Sequence, residues 1–172
     1  AEASEEIEFY EQGLFTLPAS ALILLDIALL RDQDDTAGFY WAAQSSAENW
    51  PGATLYESAD GGVTYSALGS TTRKASIGYA GLLASGPTEI WDDANTLTVT
   101  IQSALESITD DLVYAGGNAA AVGKDGRWEI IQFGTATLVG SNTYQLSRLL
   151  RGRRGTEWAV GTHQTGDTFA LL

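Results

Sequence analysis

The stretch "YESADGGVTY", residues 56–65, sets Ser58 two positions before Asp60. A carboxylate beside a hydroxyl could move a proton if a substrate reached both. The same stretch has alternating apolar arms around Asp-Gly-Gly, which is the strongest short hairpin signal a sequence offers. Other acidic groups can be tested in the same way. "RDQDDTAG" brings Asp32, Asp34 and Asp35 together as calcium loops do. An EF-hand counted from Asp32 would need an oxygen ligand, Gly and Glu where Thr36, Ala37 and Ala43 stand, so the loop reads as solvated acid. "WDDAN" pairs Asp92 with Asp93, but neighbours in a strand point to opposite faces and cannot share one scissile bond. The single histidine, His163, has Asp167 four residues on. It has no second histidine, no thiolate and no Gly-x-Ser-x-Gly serine to complete a zinc site or a triad. Neither a GxGxxG motif nor a P-loop occurs. No catalytic residue, metal site or cofactor is assigned, and the chain reads as non-enzymatic.

Ser58, Asp60, Gly62 and Tyr65 resemble the Asp box, Ser-x-Asp-x-Gly-x-x-aromatic, with Tyr where Trp is usual. That hairpin motif recurs in sialidases and other β-propellers. There the Asp binds turn N–H groups, Gly takes a positive φ, and the aromatic packs underneath. A propeller needs a copy in most blades and this chain has one, so the motif reads as a structural turn. A glycan-cleaving enzyme, the reading an Asp box prompts, would need two carboxylates about 5–10 Å apart in a cleft; no such pair is visible. A carbohydrate-binding module is the other alternative. Trp50 and Trp91 lie in loop-like contexts and are the candidates for stacking on sugar rings, whereas the remaining aromatics suit a core or a hairpin face.

The elements that must position these residues are mostly strands. The chain has 172 residues, 44% apolar and 18% charged, with 19 glycines, a folded and loop-rich composition long enough to bury a core. Net charge is −13, which repels a phosphate backbone and argues against nucleic acid as a partner. The charge is uneven: residues 1–60 hold 12 acidic and one basic residue, while Arg148, Arg151, Arg153 and Arg154 fall within seven positions. There is no cysteine, so disulfides and thiolate metal sites are excluded. The most apolar run, "ALILLDIALL" at residues 21–30, is too short to span a bilayer, carries Asp26 in its middle, and reads as a buried strand. The opening "AEASEEIEFYE" is acidic where a signal peptide would be basic. A start without Met and an end on a strand-like run suggest a piece of a longer polypeptide.

Further strands are expected at residues 38–45, 54–58, 63–68, 96–102, 119–123, 127–139, 143–150 and 167–172. "SITDDLVYAG" is the helix candidate, with Thr109 as cap, Asp110 and Asp111 in the first turn and Gly116 at its end. The expected fold is therefore mainly β, an antiparallel sandwich or barrel-like module or modules with one short helix. The expected organisation is an acidic lead at 1–20, a β module at 21–85 with the Asp-box-like hairpin, and a β module at 86–172; one continuous domain is the variant.

The most specific stretch is "NTYQLSRLLRGRRGTEWAVGTH", residues 142–163. With "VGKDGRWEIIQFGTATLVG" before it and "GDTFALL" after it, it resembles the C-terminal region of tail-tip hub proteins. These belong to long-tailed bacteriophages and to the gene transfer agents of α-proteobacteria, whose tail-tip protein is often called megatron. "LLRDQDDTAGFYWAA", "WPGATLYESADGGVTY" and "NAAAVGKDGRWEIIQF" resemble earlier blocks, so the likeness runs from about residue 20 onward. It departs at the "KDGR" hairpin and the acidic lead. The resemblance implies a virion structural module made in the bacterial cytoplasm, part of a homotrimeric tail tip with other tail-tip proteins as partners, that meets the host surface. The residues of the motif read as a strand, with Leu146 inward and Arg148 outward, that runs into a Gly-Arg-Arg-Gly turn. Arg151 and Arg154 act as fold locks on carboxylates such as Glu157 or Asp167, or on backbone carbonyls.

Overall fold

A computed structural model of the chain describes residues 20–31, 33–34 and 36–172; the acidic lead apart from Ser20, together with Asp32 and Asp35, lies outside them. β1 (Ser20–Leu25) and β2 (Tyr40–Ser45) form one antiparallel pair, and β3 (Ala53–Glu57) and β4 (Ser66–Thr71) a second. The other six strands are β5 (Ile77–Ala80), β6 (Leu97–Ile101), β7 (Ala119–Gly123), β8 (Glu129–Gly140), β9 (Thr143–Arg153) and β10 (Asp167–Leu171). They close into an antiparallel barrel in the order β10-β5-β6-β9-β8-β7. The fold is thus mainly β, and of the two expected architectures it is the barrel.

Closure removes the open sheet edges that a six-stranded sheet would otherwise present. The interior follows from alternation: Leu97, Val99 and Ile101 of β6 point in, and Thr98 and Thr100 point out. Phe133 of β8 and Phe169 of β10 meet across the interior with ring centres 6.4 Å apart. Leu83, Ile131, Leu146 and Leu149 fill the space around them. β5 was not legible as a strand. Its four residues, Ile-Gly-Tyr-Ala, are too few to show a period, yet it pairs with both β10 and β6. It also comes before residue 86, so the barrel draws a stave from the expected first module.

β7 is a continuous apolar run because it is covered on both sides. Ala120 and Val122 face the barrel interior, whereas Ala121 faces outward beneath Leu25 and Trp128. Ile23, Ile27 and Tyr40 complete that outer cluster, which seats the first hairpin on the barrel. The run at residues 21–30 is therefore not a buried strand: the strand ends at Leu25, and Leu22 and Leu24 are about half exposed. A two-stranded sheet has one face to cover, and the other stays in solvent. The second hairpin rests on the first through Gly69, where an added Cβ would lie 3.6 Å from the Trp41 indole. β4 starts at Ser66 rather than 63 because the turn takes residues 58–65. The helix α1 (Asp110–Tyr114) begins after an extended Thr109 whose hydroxyl makes no capping bond, and Gly116 follows with φ +99°. Gln132 of β8 ties it down by donating to the Val113 and Gly117 carbonyls at 2.6 and 3.0 Å.

Truncating Phe133 to Ala should cost about 3–5 kcal/mol, lowering the thermal midpoint by roughly 10 °C. Leu22→Ala on the open hairpin face should shift stability by about 0.5 kcal/mol or less. Thermal unfolding followed by circular dichroism separates the two, and equal effects would contradict the assigned interior.

Candidate functional site

The β8–β9 ladder keeps one register from Ala136 opposite Leu146 to Gln132 opposite Leu150, and then Ile130 faces Arg153. β9 therefore carries one extra residue, a bulge of the kind that bends a strand and re-aims a side chain. Gly152 supplies the left-handed conformation with φ +57°, and a Cβ on it would lie 2.9 Å from the Glu157 Cα. The bulge turns Arg151 into the protein, where it is completely buried.

A buried guanidinium must have all its donors answered. Arg151 Nε and Nη2 grip Glu129 Oε1 and Oε2 at 2.7 and 2.9 Å, a bidentate pair. Nη1 donates to Asp92 Oδ2 and to the Ala84 carbonyl, both at 3.0 Å. Glu129 also accepts the Gly152 N–H at 2.9 Å, and its Oε2 lies 2.6 Å from His163 Nε2. Because an ionised carboxylate can only accept, the imidazole carries a proton on Nε2. Burial pushes the Glu129 carboxyl upward, but the hydrogen bonds from His163 and Arg151, the Arg151 charge and the Gly152 N–H outweigh it and hold the group below its ordinary range. Asp92 is fixed in turn by the Asn95 amide at 3.0 and 2.9 Å, and its backbone bridges to Leu149.

The cluster continues outward. His163 Nδ1 stands 3.5 Å from Asp167 Oδ2 without a hydrogen bond. Asp167 accepts the Gln164 N–H at 3.0 Å and pairs with Arg127 at 3.1 Å. Side chains of Arg151, Glu129, Asp92 and His163 have no solvent exposure and that of Asp167 has 3%. A substrate cannot reach these groups in the folded chain. What the arrangement can do is bind together β8, β9 and the segments that carry Ala84, Asp92, His163 and Asp167.

Residues 75–170, more than half of the 172, match the family described as Rcc01698-like, C-terminal. The matched span opens just before β5 and closes inside β10, so it coincides with the barrel. The chain belongs to this family. It is a family of gene transfer agent tail proteins, and Rcc01698 itself is the megatron tail protein of the Rhodobacter agent. No curated protein matches the chain.

Within this Rcc01698-like barrel, the "LLRGRRGT" run has an assignable physical task at nearly every position. Leu149 and Leu150 are buried, and Arg153 donates to the Gln132 side chain at 3.2 Å. Arg154, itself at φ +57°, reaches the Leu29 and Leu30 carbonyls at 2.6 and 3.3 Å and so ties the first hairpin's loop to the barrel. Thr156 accepts the Ile130 N–H at 2.9 Å and donates to the Arg153 carbonyl at 2.7 Å. Neither expected carboxylate partner of the arginines is used. Arg151 takes Glu129 and Asp92 instead of Glu157 or Asp167, because the bulge turns it toward β8 rather than along the turn.

The surface candidates lie apart from this cluster. Ser58 donates to Asp60 at 2.7 Å, and Asp60 accepts the Val63 and Thr64 N–H groups at 3.1 and 2.9 Å, with Gly62 at φ +95°. The Thr64 hydroxyl, the Thr64 N–H and the Ser58 hydroxyl hold the Asp60 carboxyl far below its ordinary range. Tyr65 is 64% exposed rather than packed underneath, since a two-stranded hairpin offers no layer below it. Trp50 is half-buried and donates to Ser20 at 2.9 Å. Trp91, also half-buried, donates to the Tyr114 hydroxyl at 2.7 Å and carries the Arg148 guanidinium 4.3 Å from its ring centre. One face of Trp91 is thereby taken by a cation rather than left open to a sugar. Arg148, with Asp93 at 3.0 Å and Asp110 at 2.6 Å, holds α1 against β9 from the outside. Asp34 is held by Arg31 and by the Tyr40 hydroxyl, and no group of three or more metal-binding side chains assembles among the described residues.

Glu129 belongs to no motif, and neither Asp92 nor His163 has its buried partner close by in the sequence. Glu129 had a signal, a lone carboxylate inside the apolar run "WEIIQF", which requires a buried partner.

Two outcomes follow from the cluster. Arg151→Met should destabilise the barrel by about 3–5 kcal/mol, with Arg151→Lys recovering only part, because a point charge cannot replace the two-pronged grip. An unfolding free energy, extrapolated from urea titration, within about 1 kcal/mol of the parent would refute the lock. Glu129 ionises more readily folded than unfolded, so its contribution is present above its ordinary value of 4.5 and lost as pH falls through the lower folded value. Urea unfolding between neutral and acid pH should show that limb, shallower in Glu129→Gln; parallel limbs in the two proteins would contradict it.

Proposed function

We propose that the chain is a structural module of the tail-tip hub of a phage-like particle, working by assembly and contact rather than turnover. The single observation that carries this reading is the union of the family barrel with a sealed ionic cluster. The groups that could have done chemistry, Glu129, Asp92 and His163, are spent on cohesion and closed to solvent. In such a particle the barrel is a rigid body held in a homotrimeric tip by other tail-tip chains. The hairpins outside the matched span, with Tyr56 and Tyr65 exposed, are the parts that face the host.

A second reading, a module that grips envelope polysaccharide, is compatible with the first. It is favoured by exposed aromatic rings on the outer surface, among them Tyr79 and Trp158.

Antibodies raised against the purified chain should label intact particles at the tail tip when viewed by immunogold electron microscopy. Label spread along the tube, confined to heads, or missing from particles that contain the protein would overturn the assignment.

A further inference from the structure

A cleft of about 270 Å³ opens where the first hairpin meets the barrel wall formed by β5 and β6. Ile77, Gly78 and Ile101 are among its lining residues, and Tyr79 lies beside them, 67% exposed. Three amides surround it, from Gln44, Gln102 and Asn142. Gln44 accepts the Ile77 N–H at 3.2 Å, which fixes the amide and leaves its NH₂ as a donor. The Asn142 carbonyl accepts the Ile101 N–H at 2.8 Å, so the backbone sets Asn142 beside the strand end that carries Gln102. The side-chain amides of Gln102 and Asn142 make no hydrogen bond among the described residues. Although the chain carries a net charge of −13, no charged residue lines the cleft.

That combination selects a chemistry. An amide both donates and accepts, as a hydroxyl does, and an aromatic ring stacks against the C–H face of a sugar. A charged ligand would find no counter-ion there, and the volume lies near the lower bound of about 300 Å³ for ligand sites, enough for one ring rather than several. We propose that this cleft binds one neutral pyranose unit of a polysaccharide. The inference rests on the host-contact reading above and gives it a ligand class and a place, distinct from Trp50 and Trp91.

The test is saturation-transfer NMR on the intact chain with glucose, galactose, mannose and N-acetylglucosamine, alongside glucuronate and N-acetylneuraminate. At least one neutral sugar should receive saturation, and the two anions should receive little. Tyr79→Ala and Gln102→Ala should each weaken binding by about tenfold or more. Leu112→Ala, an exposed residue of α1 outside the cleft lining, should leave it unchanged. Absence of transfer to all four neutral sugars, stronger transfer to the anions, or binding that survives both cleft substitutions would overturn the proposal. Particle labelling is read without any sugar, so failure here and failure of the tail-tip reading are told apart.

Discussion

The grip of Arg151 on Glu129 is the interaction on which the rest of the barrel depends. Taking a guanidinium and two carboxylates out of water is costly, and only near-complete hydrogen bonding offsets that cost. Here the offset comes from four separate parts of the chain: β8, β9, the stretch holding Ala84 and Asp92, and the stretch holding His163. None of them can shift without leaving a charge unanswered in the interior. The pair also pins register. Sliding β9 by one residue would send Arg151 to the outer face and leave Glu129 alone among apolar side chains. An apolar core of leucines would tolerate that slip far better than this one does.

The same constraint explains the glycines and strained positions around it. A bulge must sit where β9 passes Glu129, so Gly152 adopts a left-handed backbone whose N–H joins the carboxylate. Two residues further on, Arg154 also takes a positive φ, and its side chain leaves the barrel to hold the Leu29 and Leu30 carbonyls. One short run of sequence thus closes the barrel from inside and fastens the first hairpin from outside. Within β9, Arg148 at φ +56° extends the fastening to α1 through Asp110. Gly134 is the strand neighbour that leaves room for its stem.

How much of this could be read from the sequence depends on distance along the chain. The alternation of Leu97, Val99 and Ile101, the Asp-Gly turn and the acidic start of α1 are local signals, and each marks an element that forms. β5 has no local signal, since a glycine and an alanine in four residues carry neither propensity nor period, and only its two neighbours make it a strand. Arg151 was visible as a fold lock in kind but not in partner, because Glu129 and Asp92 lie 22 and 59 residues away. The direction of its side chain turns on one extra residue in β9, and a strand pattern cannot show which residue a bulge will absorb. Asp92 and Asp93 were correctly separated: one is buried against Arg151, and the other meets Arg148 at the surface.

The distribution of charge bears on what kind of work the molecule can do. In an enzyme, perturbed acids and bases line an accessible cleft, because proton transfer requires contact with the reacting atoms. In this chain Glu129, Asp92, Asp167 and the histidine lie inside, whereas the cleft between hairpin and barrel is lined by amides, hydroxyls, one tyrosine ring and a few small or aliphatic residues. Interior charge fixes shape, and on the proposed reading the uncharged exterior recess would hold a neutral sugar without altering it. Rigid interior and unreactive recess together describe a part that must keep its form while touching something else. That is the physical sense in which the proposed tail-tip role would work through contact.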